Sequence, residues 1–104
     1  MSTPKFTTLG EVLLNARAYE WSDALHLPAG SWTAETRALV MYPEDDEDEE
    51  PQLARDNRMR YALGIDAVQD IVDNVRDQKP DATLADLVRA FQHYYERDAF
   101  IVLA

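Results

Sequence analysis

Seven consecutive carboxylates, Glu44-Asp45-Asp46-Glu47-Asp48-Glu49-Glu50, stand between Pro43 and Pro51. Like charges at this density repel one another and hold their water, so the segment can be neither a core strand nor a core helix. Residues 43–51 are therefore expected to be an acidic loop. The chain has 20 acidic and 10 basic residues, for a net charge of -10. Without the run, 13 acids would face 10 bases, so seven of the ten excess charges sit in it. An extended chain advances about 3.3–3.6 Å per residue, close to the roughly 3.4 Å per phosphate along one strand of duplex DNA. An extended run of Asp and Glu is thus a crude electrostatic copy of a nucleic-acid backbone. A solvated loop that keeps the protein soluble is the plainer reading, and the run alone leaves both open.

The remaining totals set the frame. A length of 104 residues allows one domain with a real core and is too short for two. Hydrophobic content of 46% with 29% charged residues fits a soluble globular chain. There is no cysteine, which excludes disulfides, thiolate chemistry and cysteine-based metal sites. The start, Met1-Ser2-Thr3-Pro4-Lys5, has no apolar signal core. No stretch approaches the roughly 18 apolar residues of a membrane span, so a cytoplasmic location is expected. The charge argues against direct binding to nucleic acid or anionic membranes, and for a basic partner.

Thr8-Leu9-Gly10-Glu11 has capping-box spacing. Leu9, Val12, Leu13 and Ala16 follow at i, i+3, i+4 and i+7, which predicts a helix from about Leu9 to Ala18 with one buried face. Gly10 costs that helix of order 1 kcal/mol against Ala. Ala24 to Leu27 and Arg37 to Tyr42 read as two strands paired across a loop holding Trp32. Gln52 to Asn57 can form a turn or two of helix. Met59, Tyr61 and Leu63 then alternate as a third, half-buried strand, with one helix from Pro51 through Leu63 as the competing reading.

In the next segment Asp66 is expected to cap a helix, with Gln69 completing the box. Val68, Ile71, Val72 and Val75 share one face of it, and Asp66, Asp70, Asp73 and Asp77 share the opposite one. Thr83 caps a last helix with a broad stripe of Leu84, Leu87, Val88, Phe91, Tyr94 and Tyr95. The tail, Phe100-Ile101-Val102-Leu103-Ala104, needs a cover and is expected to form a short edge strand. The sum is a single α+β domain: a small antiparallel sheet of about three strands, with three main helices on one side.

Little here points to catalysis. The two histidines are His26, read as a surface or edge residue of its strand, and His93. His93 with Glu96 and Asp98 has helical spacing for a cluster, but no second histidine accompanies it. There is no glycine-rich phosphate loop, and the acidic run lacks the register and central glycine of a calcium loop. No cofactor or metal is expected, and the sequence does not read as an enzyme. Trp21, Trp32 and Tyr42 sit near loops or strand ends, where aromatic residues either close a small core or anchor an interface. The aspartate stripe has a plain reading too, as a solvated helix face. Yet it includes no base between Val68 and Val75, where a face built only for solubility would mix signs.

Thr8-Leu9-Gly10-Glu11-Val12-Leu13 with Ala16-Arg17, and Ala24-Leu25-His26-Leu27-Pro28, resemble the opening of a small bacterial domain family. Tyr61-Ala62-Leu63-Gly64-Ile65 running into Val68-Gln69-Asp70-Ile71-Val72, with Tyr94-Tyr95 and Asp98-Ala99-Phe100-Ile101, resemble its later part. Members of that family are immunity proteins found beside polymorphic toxins, including those of contact-dependent growth inhibition systems. The resemblance implies a cytoplasmic protein without catalysis that binds the C-terminal domain of one cognate toxin. Many such toxins are nucleases, whose basic grooves an acidic inhibitor would fill. The expected toxin-binding residues are Asp45, Asp46, Glu47, Asp48, Glu49 and Glu50, with Asp66, Asp70, Asp73, Asp77 and Trp32 beside them. The rival readings are an acidic adaptor for a basic cellular protein and, last, an enzyme using His93.

Overall fold

A computed structural model describes residues 4–42 and 51–103. The acidic run, with the contact role expected of Asp45 to Glu50, lies outside the described residues. In chain order the elements are β1 (Lys5–Thr8), α1 (Leu9–Leu14), a 3-10 turn (Ala16–Ala18), β2 (Ala24–Pro28) and β3 (Arg37–Met41). They continue with α2 (Gln52–Asp56), β4 (Met59–Gly64), α3 (Ile65–Gln78) and α4 (Leu84–Arg97). The four strands form one antiparallel sheet in the order β1-β3-β2-β4. The α+β class is as expected, with four strands in place of three.

Alternation along β3 sets the layers. Ala38 and Val40 enter the main core, whereas Leu39 and Met41 join a second cluster with Ala54 and Met59. The main face of the sheet takes α1, α3 and α4, whose Leu9, Val12, Leu13, Val68, Ile71, Val72, Val75, Leu87 and Phe91 are buried against Leu25, Leu27 and Val40. Each large side chain removed from water in this way contributes about 1.5–3 kcal/mol. The short α2 covers the other face, so helices lie on both sides of the sheet and not on one. That second layer also corrects the reading of His26. It points away from Leu25 and Leu27 as alternation requires, but it pairs with Leu39 on an inner strand and is buried. Its ring meets Tyr61 edge-on at 6.2 Å.

The first strand, β1, is not among the expected ones, because Lys5-Phe6-Thr7-Thr8 shows no apolar alternation. Pairing with β3 in the register Phe6↔Leu39 makes it a strand, and the Arg37 guanidinium covers the Phe6 ring at 4.3 Å. The expected helix from Leu9 to Ala18 stops at Leu14. The Asn15 side-chain amide takes the Glu11 carbonyl at 3.2 Å and its carboxylate at 2.9 Å, leaving the chain to continue as the 3-10 turn. Gly10 has a positive reason to be there. Its amide donates to the Ala34 carbonyl at 2.8 Å, and a Cβ on it would meet that oxygen at 2.9 Å.

Candidate functional site

The residues expected to make contact on α3 fall on its solvent side, but they are not equivalent. Asp66 is the second residue of the helix and not its cap. The first two amides of α3, those of Ile65 and Asp66, donate to the carbonyls of Asp23 (2.9 Å) and Trp21 (3.2 Å). Backbone from the loop entering β2 thus does the capping that the Asp66-x-x-Gln69 spacing suggested for side chains. The Asp66 carboxylate still gains from the helix dipole at that end. Asp73 is paired with the Arg17 guanidinium, which reaches across from the 3-10 turn. Asp70 and Asp77 are exposed and meet no base among the described residues.

Gln69, expected in a capping box, is instead buried under the 3-10 turn. Its Nε2 donates to the Ala16 carbonyl at 3.1 Å and to the Tyr19 carbonyl at 3.2 Å, while its Oε1 faces Arg17 at 3.5 Å. This one amide fixes the segment that carries Arg17 and so decides which aspartate is neutralised. The sequence marked Gln69 as special for another reason; nothing in the spacing of Arg17 revealed the pairing.

Trp32 lies on α4 and away from the aspartate stripe. Its ring packs on Phe91 (5.6 Å between centroids) and Tyr95 (4.7 Å), and its Nε1 donates to the Pro28 carbonyl at 2.8 Å. Gln92 Nε2 donates to the Trp32 carbonyl at 2.8 Å and closes the contact. One side of the ring remains open. It lines a groove of about 380 Å³ with Ala34, Leu84 and Val88, where Glu35 and Arg89 bring opposite charges. Trp21, by contrast, is 67% exposed beside the start of α3. The structure thus gives Trp32 the core-closing role and leaves Trp21 as the accessible indole.

Two titrating groups are displaced by their surroundings. The Asp86 carboxyl is held below its ordinary range by the Thr83 backbone amide, with help from Lys79 at 3.2 Å. It completes a capping box at the start of α4, in which Thr83 Oγ1 accepts from the Asp86 amide at 3.2 Å. Burial pushes the Tyr19 phenol up against an opposing hydrogen bond from Thr7, and the Glu11 charge adds to the rise. Both displacements are structural. His93 is half-buried on α4, and Asp98 ends that helix in a left-handed conformation (φ 54°) with its amide on the Tyr94 carbonyl at 2.7 Å. Among the described residues no three His, Asp or Glu side chains converge as a metal site requires. No helix among them is long and apolar enough to cross a membrane.

These features define a small α+β domain with helices on both faces of its sheet, an acidic helix face and an apolar side groove. The family described as Domain of unknown function (DUF7716) matches residues 6–103, and the chain belongs to that family. No curated protein matches the chain, and no solved structure does.

Proposed function

We propose that the chain is a cytoplasmic immunity protein of a contact-dependent growth inhibition system. It binds the C-terminal domain of its cognate toxin, a nuclease, and covers the basic active-site groove with acidic surface. Charge placement carries the reading: seven of the ten excess negative charges fall in the single segment between β3 and α2. The sequence resemblance to immunity proteins points the same way. Asp45 to Glu50 supply the main contact, with Asp70 and Asp77 beside it. Asp66, Asp73 and Trp32 contribute less, since each already serves the fold. No catalytic step, cofactor, nucleic acid or membrane enters this reading.

Carboxylates spaced like phosphates raise the association rate by steering, and the effect fades with salt as the Debye length shortens. The test uses the C-terminal domain encoded by the neighbouring upstream reading frame, with association measured by surface plasmon resonance at about 0.05 M and about 0.5 M salt. Replacing residues 44–50 by Asn and Gln is expected to slow association at least about tenfold at low salt and to flatten its salt dependence. An unchanged rate would remove the run from the interface. Absence of any binding would favour an acidic adaptor for some other basic protein.

A further inference from the structure

The tail expected to form an edge strand does not pair with the sheet. Among the described residues, no backbone–backbone hydrogen bond holds residues 99–103. The tail is gripped instead by one side chain. Gln78, the last residue of α3, donates from Nε2 to the Ile101 carbonyl at 2.8 Å and accepts at Oε1 from the Leu103 amide at 2.9 Å. In an extended chain the carbonyl of one residue and the amide two residues on point to the same side, where a parallel neighbouring strand would bond to both. The Gln78 side-chain amide takes the place of the N–H and C=O of a single residue of that neighbour.

This amide is oriented independently of the tail. Nε2 of Gln78 also donates to Asn74 Oδ1 at 2.8 Å, one helical turn back. The side chains of the tail alternate as an extended peptide on a surface must. Ile101 and Leu103 pack against the main core, Val102 is 87% exposed, and the Phe100 ring rests on Tyr94 at 5.4 Å.

We propose that Asn74, Gln78 and the adjoining surface of α3 and α4 form a binding site for an extended peptide, filled in cis by residues 100–103. The ligand class follows from the occupant: a strand-like segment with apolar side chains at alternate positions, read through one carbonyl and one amide on the same edge. A partner's segment of this pattern enters when the tail lifts. Its apparent affinity is reduced by the fraction of time the tail is down, so weakening the tail strengthens binding in trans. The site adjoins Asp70 and Asp77 on α3 but rests on the hydrogen bonds of Gln78, not on the immunity reading.

The experiment titrates the full chain against a fluorescein-labelled peptide with the sequence of residues 98–104, read by anisotropy. The variant with Ile101→Ser and Leu103→Ser is expected to bind it at least about tenfold tighter than the wild type. Adding Gln78→Ala is expected to abolish that gain. A folded double variant that does not bind, or equal binding by all three proteins, would overturn the proposal. If the double variant does not fold, native-state hydrogen exchange on the wild type decides. A Leu103 amide that exchanges at least about tenfold faster than that of Leu25 supports a tail that lifts, and equal protection of the two overturns it.

Discussion

The guanidinium of Arg17 pairs with the carboxylate of Asp73 across 56 positions of sequence, joining the 3-10 turn to the middle of α3. It divides an otherwise unbroken aspartate face into two parts. Both side chains are about half or more exposed, so the pair contributes no more than about 1 kcal/mol to stability. Its larger effect is on charge. Arg17→Ala is expected to leave the denaturation midpoint nearly unchanged while speeding association with the toxin domain proposed as partner a few-fold. Urea denaturation checks the first and stopped-flow mixing at low salt the second, since a basic partner should meet one more uncompensated carboxylate.

Gln69 should behave in the opposite way, with little exposed surface and a large effect on stability. Gln69→Leu preserves bulk but strips hydrogen bonds from the Ala16 and Tyr19 carbonyls. The Ala16 carbonyl keeps the Tyr19 amide at 3.3 Å, so the Tyr19 carbonyl is the acceptor left without a partner. Leaving one such acceptor unpaired costs about 1–3 kcal/mol, and urea denaturation should show a loss in that range. A loss below about 0.5 kcal/mol would mean that the 3-10 turn is not held by this amide.

At Gly10 two effects oppose each other. Alanine gains about 1 kcal/mol of helix propensity, but its Cβ would meet the Ala34 carbonyl oxygen at 2.9 Å and the Ala34 Cβ at 3.1 Å. Both neighbours lie on a segment that is hydrogen-bonded to α1 and cannot swing aside as a flexible side chain could. Overpacking of this kind costs about 1–3 kcal/mol, so the clash outweighs the propensity. Gly10→Ala is expected to destabilise, and a rise in Tm would contradict the close approach.

The cap on α4 yields a pH dependence with a definite sign. The Asp86 pKa is lowered in the folded state, chiefly by the Thr83 backbone amide. The unfolded chain therefore binds this proton more readily, and the contribution is present above the ordinary carboxylate pKa and lost as pH falls through the folded value. Asp86→Asn should therefore lower stability at neutral pH and approach the wild type as the pH falls below the ordinary carboxylate range. Thr83→Ala removes the hydroxyl half of the box and costs about 1 kcal/mol, with the weaker pH dependence, because its hydroxyl is the smallest contributor to the Asp86 shift. Parallel urea curves from acid to neutral pH separate the two.

The long helices were legible because burial imposes its period on them. Val68, Ile71, Val72 and Val75, and later Leu87 and Phe91, are buried as the 3.6-residue spacing requires. β2 and β3 could be read from apolar runs that end in breakers. β1 could not, since Phe6 alone carries an apolar ring and the strand exists by virtue of its partner. The misreadings share one cause. The Asp66-x-x-Gln69 spacing satisfied a local rule, but carbonyls from residues 21 and 23 had already met the helix amides. The apolar tail suggested a strand, and a glutamine 25 positions from Leu103 supplied its partner. His26 read as exposed because nothing local announced that α2 would cover its side of the sheet. Charge was visible from the start; which charges are compensated was settled by long-range pairing.

The central claim is tested most directly by bacterial growth. The C-terminal domain of the neighbouring upstream reading frame is induced with this protein, without it, or with a version in which residues 44–50 carry no charge. The account predicts arrest without the protein, rescue by the wild type, and rescue lost or much reduced when the run is neutralised. Arrest that the wild-type protein cannot relieve would contradict it.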